Sequence, residues 1–170
     1  MRADWTREAN IKLILAALTE QNRLACEVSW ATGWRIGDVL GLRTDQLQRA
    51  ARSDGRLSIQ EAKTGKRSAR RLPQDLLDRL LRAAGPIYVF SGRLDGRTHR
   101  TRQAVYKDVR RVATALGLRD HISPHSLRKS YAVDEMRRGG LKRVQRLLNH
   151  EDEAVTMIYA MADQLQRRCK

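Results

Sequence analysis

Two arginines, two histidines, a lysine and a tyrosine in this chain are the side chains needed to break a phosphodiester bond. Arg35 stands in Thr32-Gly33-Trp34-Arg35-Ile36-Gly37-Asp38, His125 and Arg128 in His125-Ser126-Leu127-Arg128, and His150 and Tyr159 follow. Guanidinium groups grip phosphate oxygens through paired N–H donors. Imidazoles move protons near neutral pH. A phenol attacks phosphorus once a base takes its proton. His125 and Arg128 are one helical turn apart, so both can face one anion. Pro124 before them suits a helix start, where unpaired backbone N–H groups also favour phosphate. Arg35 and Asp38 share that spacing, which puts Asp38 where it can orient the guanidinium. Lys63, in Glu61-Ala62-Lys63-Thr64-Gly65-Lys66, sits at a basic turn that can meet a DNA backbone as a point charge.

Each of these residues has a plainer reading when taken alone. Arg35 and Asp38 would be a surface ion pair, His125 and Arg128 a buried histidine beside a surface arginine, and Lys63 a solvated turn residue. A lone tyrosine near the end of a chain usually packs. Tyr88, Tyr106 and Tyr131 compete with Tyr159, but only Tyr159 follows a histidine by nine residues.

The elements that must position these groups are mostly helices. Trp5 to Thr19 carries apolar residues at helical intervals, with Thr6 as its expected N-cap. A second helix is predicted over about Asn22–Ala31, ending near Gly33, and a third begins around Arg35. The texture then changes. Ser53-Asp54-Gly55-Arg56 reads as a hairpin turn, Leu57 to Gln60 alternates apolar and polar, Lys63 to Lys66 reads as a second turn, and Arg67 to Leu72 as another strand. Together, 46–72 predicts a small antiparallel sheet of three short strands. Pro73 opens a helix that Gly85-Pro86 stops. Ile87 to Phe90 reads as an isolated extended piece and Ser91 to Thr98 as a loop. Further helices are expected at Arg102–Leu116, Pro124–Arg138, Leu141–Leu148 and Asp152–Met161. The fold class is therefore mainly α with a small three-stranded antiparallel sheet, an α+β domain.

The 170 residues suffice for one domain with a sizeable core. They include 34 Lys+Arg against 19 Asp+Glu, a formal net charge of +15 and a pI near 10.9. A domain this basic meets a polyanion, and nucleic acid is the first candidate. A membrane is the weaker one, because the apolar run from Ile11 to Leu18 is broken by Lys12 and is far short of a spanning helix. Met1 to Trp5 lacks the apolar core of a signal peptide. Cys26 and Cys169 suggest no disulfide framework and no metal site, so a reducing cytoplasm fits.

The longer fragments carry a resemblance. Ala31 to Leu42, with Thr32-Gly33-Trp34-Arg35 followed by Asp38 and Leu40-Gly41-Leu42, is similar to the first catalytic-arginine box of the tyrosine recombinases, or phage-type integrases. Ser123 to Ala132 resembles their second box, although Ser126 stands where an acidic residue is common. His150 follows Leu148-Asn149 where the family has Leu-Gly, and asparagine can take the left-handed shape of that glycine. Tyr159 stands at the family nucleophile's distance from His150, and Lys63 matches the hairpin lysine. The resemblance covers about Glu8 to Ala160.

It implies a tyrosine recombinase catalytic domain over residues 1–170, without the N-terminal DNA-clamping domain of most relatives. It implies a site-specific recombinase or integrase that cuts and rejoins double-stranded DNA through a 3′-phosphotyrosyl bond, with no metal and no cofactor. In that reading Tyr159 is the nucleophile, His125 the general base, Arg35, Arg128 and His150 the phosphate-holding set, Lys63 the acid for the leaving oxygen, and Asp38 a support. It further implies a monomer in solution that assembles as a homotetramer on DNA, an accessory DNA-bending protein as partner, and work at the nucleoid. The alternatives are DNA relaxation in the manner of a type IB topoisomerase, or a non-catalytic basic DNA-binding domain.

Overall fold

The computed structural model describes residues 6–93, 95–118 and 121–148. The expected helix at Asp152–Met161 lies outside them. The first helix, α1 (Glu8–Ala17), buries Ile11, Ile14 and Leu15, the stripe its spacing predicts. Its N-cap is Arg7, not Thr6. Thr6 is buried instead, and exchanges backbone hydrogen bonds with the Ser130 hydroxyl at 3.3 and 2.9 Å.

The second helix, α2 (Glu20–Thr32), ends at Gly33, whose φ of 72° is the left-handed cap that glycine supplies. A short α3 (Ile36–Leu40) follows. The next element corrects the expected sheet. Thr44–Ala51 is a helix, α4, and the sheet has two strands among the described residues, β1 (Arg56–Gln60) and β2 (Arg67–Arg71). The physical reason is visible in α4. Leu47 and Ala50 are buried at helical spacing, Asp45 and Arg49 form an i,i+4 pair at 2.8 Å, and the Gln46 side chain accepts the Arg43 N–H at 3.0 Å. The left-handed Gly55 does make a turn, but it joins a helix to a strand. The strands pair antiparallel from Arg56↔Arg71 to Gln60↔Arg67.

Then come α5 (Gln74–Ala83), α6 (Arg102–Ala115) and α7 (Pro124–Leu148). Between α5 and α6, Val89 and Phe90 are buried in extended chain that hydrogen-bonds back to Leu42 and Thr44. The two helices expected at Pro124–Arg138 and Leu141–Leu148 are the two limbs of α7. They are separated by Gly140 at φ 71°, ψ −175°, a conformation reserved for glycine.

One core, including Ile11, Leu24, Trp34, Leu77, Phe90 and Leu127, joins the helices to the inner face of the hairpin. A smaller cluster of Ala132, Val144 and Leu148 packs with Tyr131 and Met136 across the bend of α7. No helix among the described residues is long and apolar enough to cross a membrane.

Candidate active site

Arg35 is placed by the way the chain leaves α2. Gly33 turns it sharply, and Trp34, 1 % exposed, is then locked from both ends. Its indole N–H donates to Ser68 Oγ of β2 at 2.8 Å, and its carbonyl accepts from Ser29 Oγ at 2.8 Å. Arg35 emerges as the N-cap of α3 with its backbone fixed by that anchor.

The Arg35 guanidinium pairs with Glu61, Nη1 to Oε2 at 2.6 Å, not with Asp38. Asp38 instead accepts the backbone N–H of Ala62 at 3.0 Å. The expected support is therefore exchanged. Glu61, buried at the end of the hairpin, orients Arg35, and Asp38 holds the hairpin backbone in place. Glu61 also accepts from Thr64 Oγ1 at 3.2 Å, and its carbonyl accepts the Gly65 N–H at 2.8 Å. The turn bearing Lys63 is thus tied to Arg35 through one carboxylate. Lys63 itself is exposed at the tip and carries no hydrogen bond or ion pair among the described residues.

His125 and Arg128 come from the first turn of α7. Ser126 between them is fully buried, and its hydroxyl accepts the Ser123 N–H at 3.1 Å, so it secures the helix start. His125 is exposed at the surface of the site. Partial burial, then the charges of Arg128, Arg35, Lys129 and Arg102, hold its imidazole below the ordinary histidine pKa.

Arg128 is buried, and it ties the site together. Nη1 donates to the Gly33 carbonyl and Nη2 to the Leu148 carbonyl at 3.0 Å. One guanidinium therefore bridges the segment that presents Arg35 and the end of α7. His150 and Tyr159, which follow that end in sequence, lie outside the described residues.

Three residues of this neighbourhood are missed by reading the sequence alone. Glu61 had a signal, since it is the one carboxylate in residues 56–71. Arg102, at the start of α6, packs so closely on Gly37 that a Cβ there would lie 3.1 Å from its Cδ, and its charge reaches His125. Arg70, on β2, donates to the Leu147 carbonyl. Neither arginine stands out in a chain this rich in them. Among the described residues, no three His, Cys, Asp or Glu side chains gather as they would around a metal ion.

Comparison with known proteins identifies relatives in sequence and in fold. The model of the phage integrase family matches residues 4–166. The tyrosine recombinase XerD of Lacticaseibacillus casei is 30% identical over 148 residues, covering 82% of this chain and 50% of XerD. A lambda integrase dimer bound to a COC' core site superposes with a TM-score of 0.76 at 22% identity, covering 94% of this chain and 48% of that one. The lambda integrase catalytic core gives 0.70 at 24% identity, covering 89% of this chain and 94% of that one. The chain thus spans about half the length of the curated relatives it matches.

Proposed function

Because this chain belongs to the phage integrase family, we propose that it is the catalytic domain of a site-specific recombinase that cuts and rejoins double-stranded DNA. The observation that supports the reading is Arg128, one turn after His125, donating to the Gly33 carbonyl two residues before Arg35, whose guanidinium is tied through Glu61 to the hairpin that presents Lys63.

In the proposed reaction Tyr159 attacks a scissile phosphate. The bond from tyrosine oxygen to phosphorus forms, and the bond from phosphorus to the 5′-oxygen breaks. His125, its pKa lowered by partial burial and by the cations around it, accepts the phenol proton. Lys63, exposed at its tip, gives a proton to the departing 5′-oxygen. Arg35 and Arg128 stabilise charge on the non-bridging oxygens, and preorganised donors of this kind each contribute about 3 kcal/mol. His150 donates a further hydrogen bond. The 3′-phosphotyrosyl bond conserves the energy of the broken one, so a second 5′-hydroxyl can reverse the step on a new partner.

The partner is duplex DNA, consistent with the +15 charge and with the DNA in the lambda integrase structure. Exchange between two duplexes needs four cuts, so the working form is a tetramer assembled on DNA from monomers, which a DNA-bending protein can help to organise. Such a protein works at the nucleoid, in the cytoplasm.

The test is covalent capture. The chain is incubated with nicked duplexes of randomised sequence, and DNA joined to protein through denaturation is recovered and sequenced. Covalent product lost in Tyr159→Phe and kept in Tyr131→Phe is expected. Salt-sensitive binding without covalent product would leave a binding domain, and the reverse tyrosine dependence would move the nucleophile to residue 131.

A further inference from the structure

In the last described turn of α7, two successive backbone carbonyls accept from arginines of different elements. Leu148 receives Arg128, from the first turn of the same helix, and Leu147 receives Nη2 of Arg70, from β2. Arg70 also donates through Nη1 to the Ala69 carbonyl at 2.7 Å, which fixes its direction across the sheet. It lies beside Tyr131, whose phenol pKa is raised by burial and pulled down by the charge and hydrogen bond of Arg70. The Nε of Arg70 is buried with no hydrogen-bond partner among the described residues. Burying a guanidinium donor unsatisfied is unfavourable, so this is no solvated surface arginine.

Two further contacts define what the arrangement holds. The side chain of Leu148 packs against Gly33, where a Cβ would lie 3.1 Å from its Cδ2. The hairpin that supplies Arg70 is the one tied to Arg35 through Glu61, with Lys63 at its tip. The end of α7 is therefore clamped between the early arginine box and the hairpin. His150 follows Leu148 by two residues in the chain and Tyr159 by eleven.

We propose that Arg70 is a positioning residue of the site. It holds the last described turn of α7 against the hairpin, and His150 and Tyr159 follow that turn in the sequence. It acts through the Leu147 carbonyl and touches neither DNA nor the reacting atoms. The proposal rests on the roles assigned above to His150, Tyr159 and Lys63.

The experiment has two arms on the full chain, with Arg70→Gln and Arg70→Lys. The first needs no DNA. Amide hydrogen exchange is measured by residue, and Arg70→Gln is expected to speed exchange over 145–148 while β1 and β2 stay as protected as in the wild type. Arg70→Lys, which keeps the charge but cannot reach both carbonyls, should fall between. The second arm uses the duplex recovered by covalent capture, made with an ordinary or a sulfur-substituted 5′ leaving group. Arg70→Gln should slow cleavage about 10- to 100-fold with unchanged DNA affinity, well below its melting temperature. The sulfur leaving group needs no proton. It should restore Lys63→Ala and leave Arg70→Gln slow, since the fault lies at the helix end.

Unchanged exchange over 145–148, or an Arg70→Gln rate equal to wild type, overturns the proposal. Restoration of Arg70→Gln by sulfur would move its action to Lys63 and overturn it too. If the wild type forms no covalent product with any duplex, the recombinase reading fails, and the exchange arm alone still decides whether Arg70 holds the helix end.

Discussion

The ring of Tyr131 lies against Gly33, so close that a Cβ on residue 33 would overlap its Cδ1 and Cε1. Gly33 also carries a left-handed φ of 72° and gives its carbonyl to Arg128. One glycine therefore serves as helix cap, as floor for Tyr131 and as acceptor for a site arginine. Gly33→Ala is expected to destabilise the fold. The left-handed conformation costs about 1–2 kcal/mol by itself, and displacement of the ring adds to it. At this chain length the backbone cost alone should lower the melting temperature by roughly 2–8 °C. An unchanged melting curve would show that the Tyr131 contact yields freely.

Arg35 and Glu61 should behave as a coupled pair. Glu61 is 1 % exposed, so removing Arg35 takes a close cation away from a buried carboxylate. Arg35→Ala is expected to cost about 3 kcal/mol in urea unfolding. The double variant Arg35→Ala/Glu61→Gln should be more stable than Arg35→Ala alone, because the buried charge that Arg35 balanced is gone. Additive losses would mean that Glu61 is stabilised by its other neighbours and that Arg35 is oriented elsewhere.

What could be read from the chain alone follows the range of the forces involved. The apolar stripe of α1, the Pro73 start of α5 and the glycine break in α7 are set by neighbours in sequence, and each appears where the spacing puts it. The family boxes were legible for the same reason, since Gly33 and Pro124 are demanded by local backbone shape. Three readings failed, the Thr6 cap of α1 among them. Ser53-Asp54-Gly55 has the chemistry of a turn whichever elements it joins, so α4 passed for a strand. Asp38 was the natural partner for Arg35 at helical spacing, but the docking of α3 on the hairpin brings Glu61, 26 residues away, into place first. Choices between partners of equal chemistry are made by packing. Arg70 and Arg102 were hidden likewise, as two among many surface-type arginines.

Asp108 should set the acid limit of stability. Burial raises its pKa, but hydrogen bonds from Asn22, Arg111 and Thr19 outweigh that and hold it at about 2. Asp108 Oδ2 accepts from Asn22 at 2.7 Å and from Thr19 Oγ1 at 2.9 Å, joining α2 to α6. A depressed folded-state pKa contributes stability above the unfolded value of about 4, and that contribution fades as pH falls toward about 2. The loss is about 2 kcal/mol across this window. Urea midpoints measured against pH should slope there in the wild type and lie flatter in Asp108→Asn, with the two curves approaching one another at the acid end. Parallel curves would remove Asp108 from the account.

The last prediction concerns the protonation of His125 in the DNA-free protein. Burial and the charges of Arg128, Arg35, Lys129 and Arg102 all oppose its imidazolium. Its titration, followed by the ring Cε1–H resonance, should therefore fall below the ordinary value of about 6.5. The neutral ring then predominates at neutral pH, as a proton acceptor requires. The linked stability has the matching sign: it is present above the unfolded-state pKa and is lost as pH falls through the folded one. Arg102→Ala removes the last-named of these charges and should raise the titration slightly. Inorganic phosphate should raise it further, because an anion held between Arg35 and Arg128 favours the charged ring. In Arg35→Ala the phosphate effect should shrink, although that variant's own titration starts higher. A His125 titration at or above the ordinary value would contradict the electrostatic picture. A phosphate response equal in wild type and Arg35→Ala would show that the anion docks away from the early arginine.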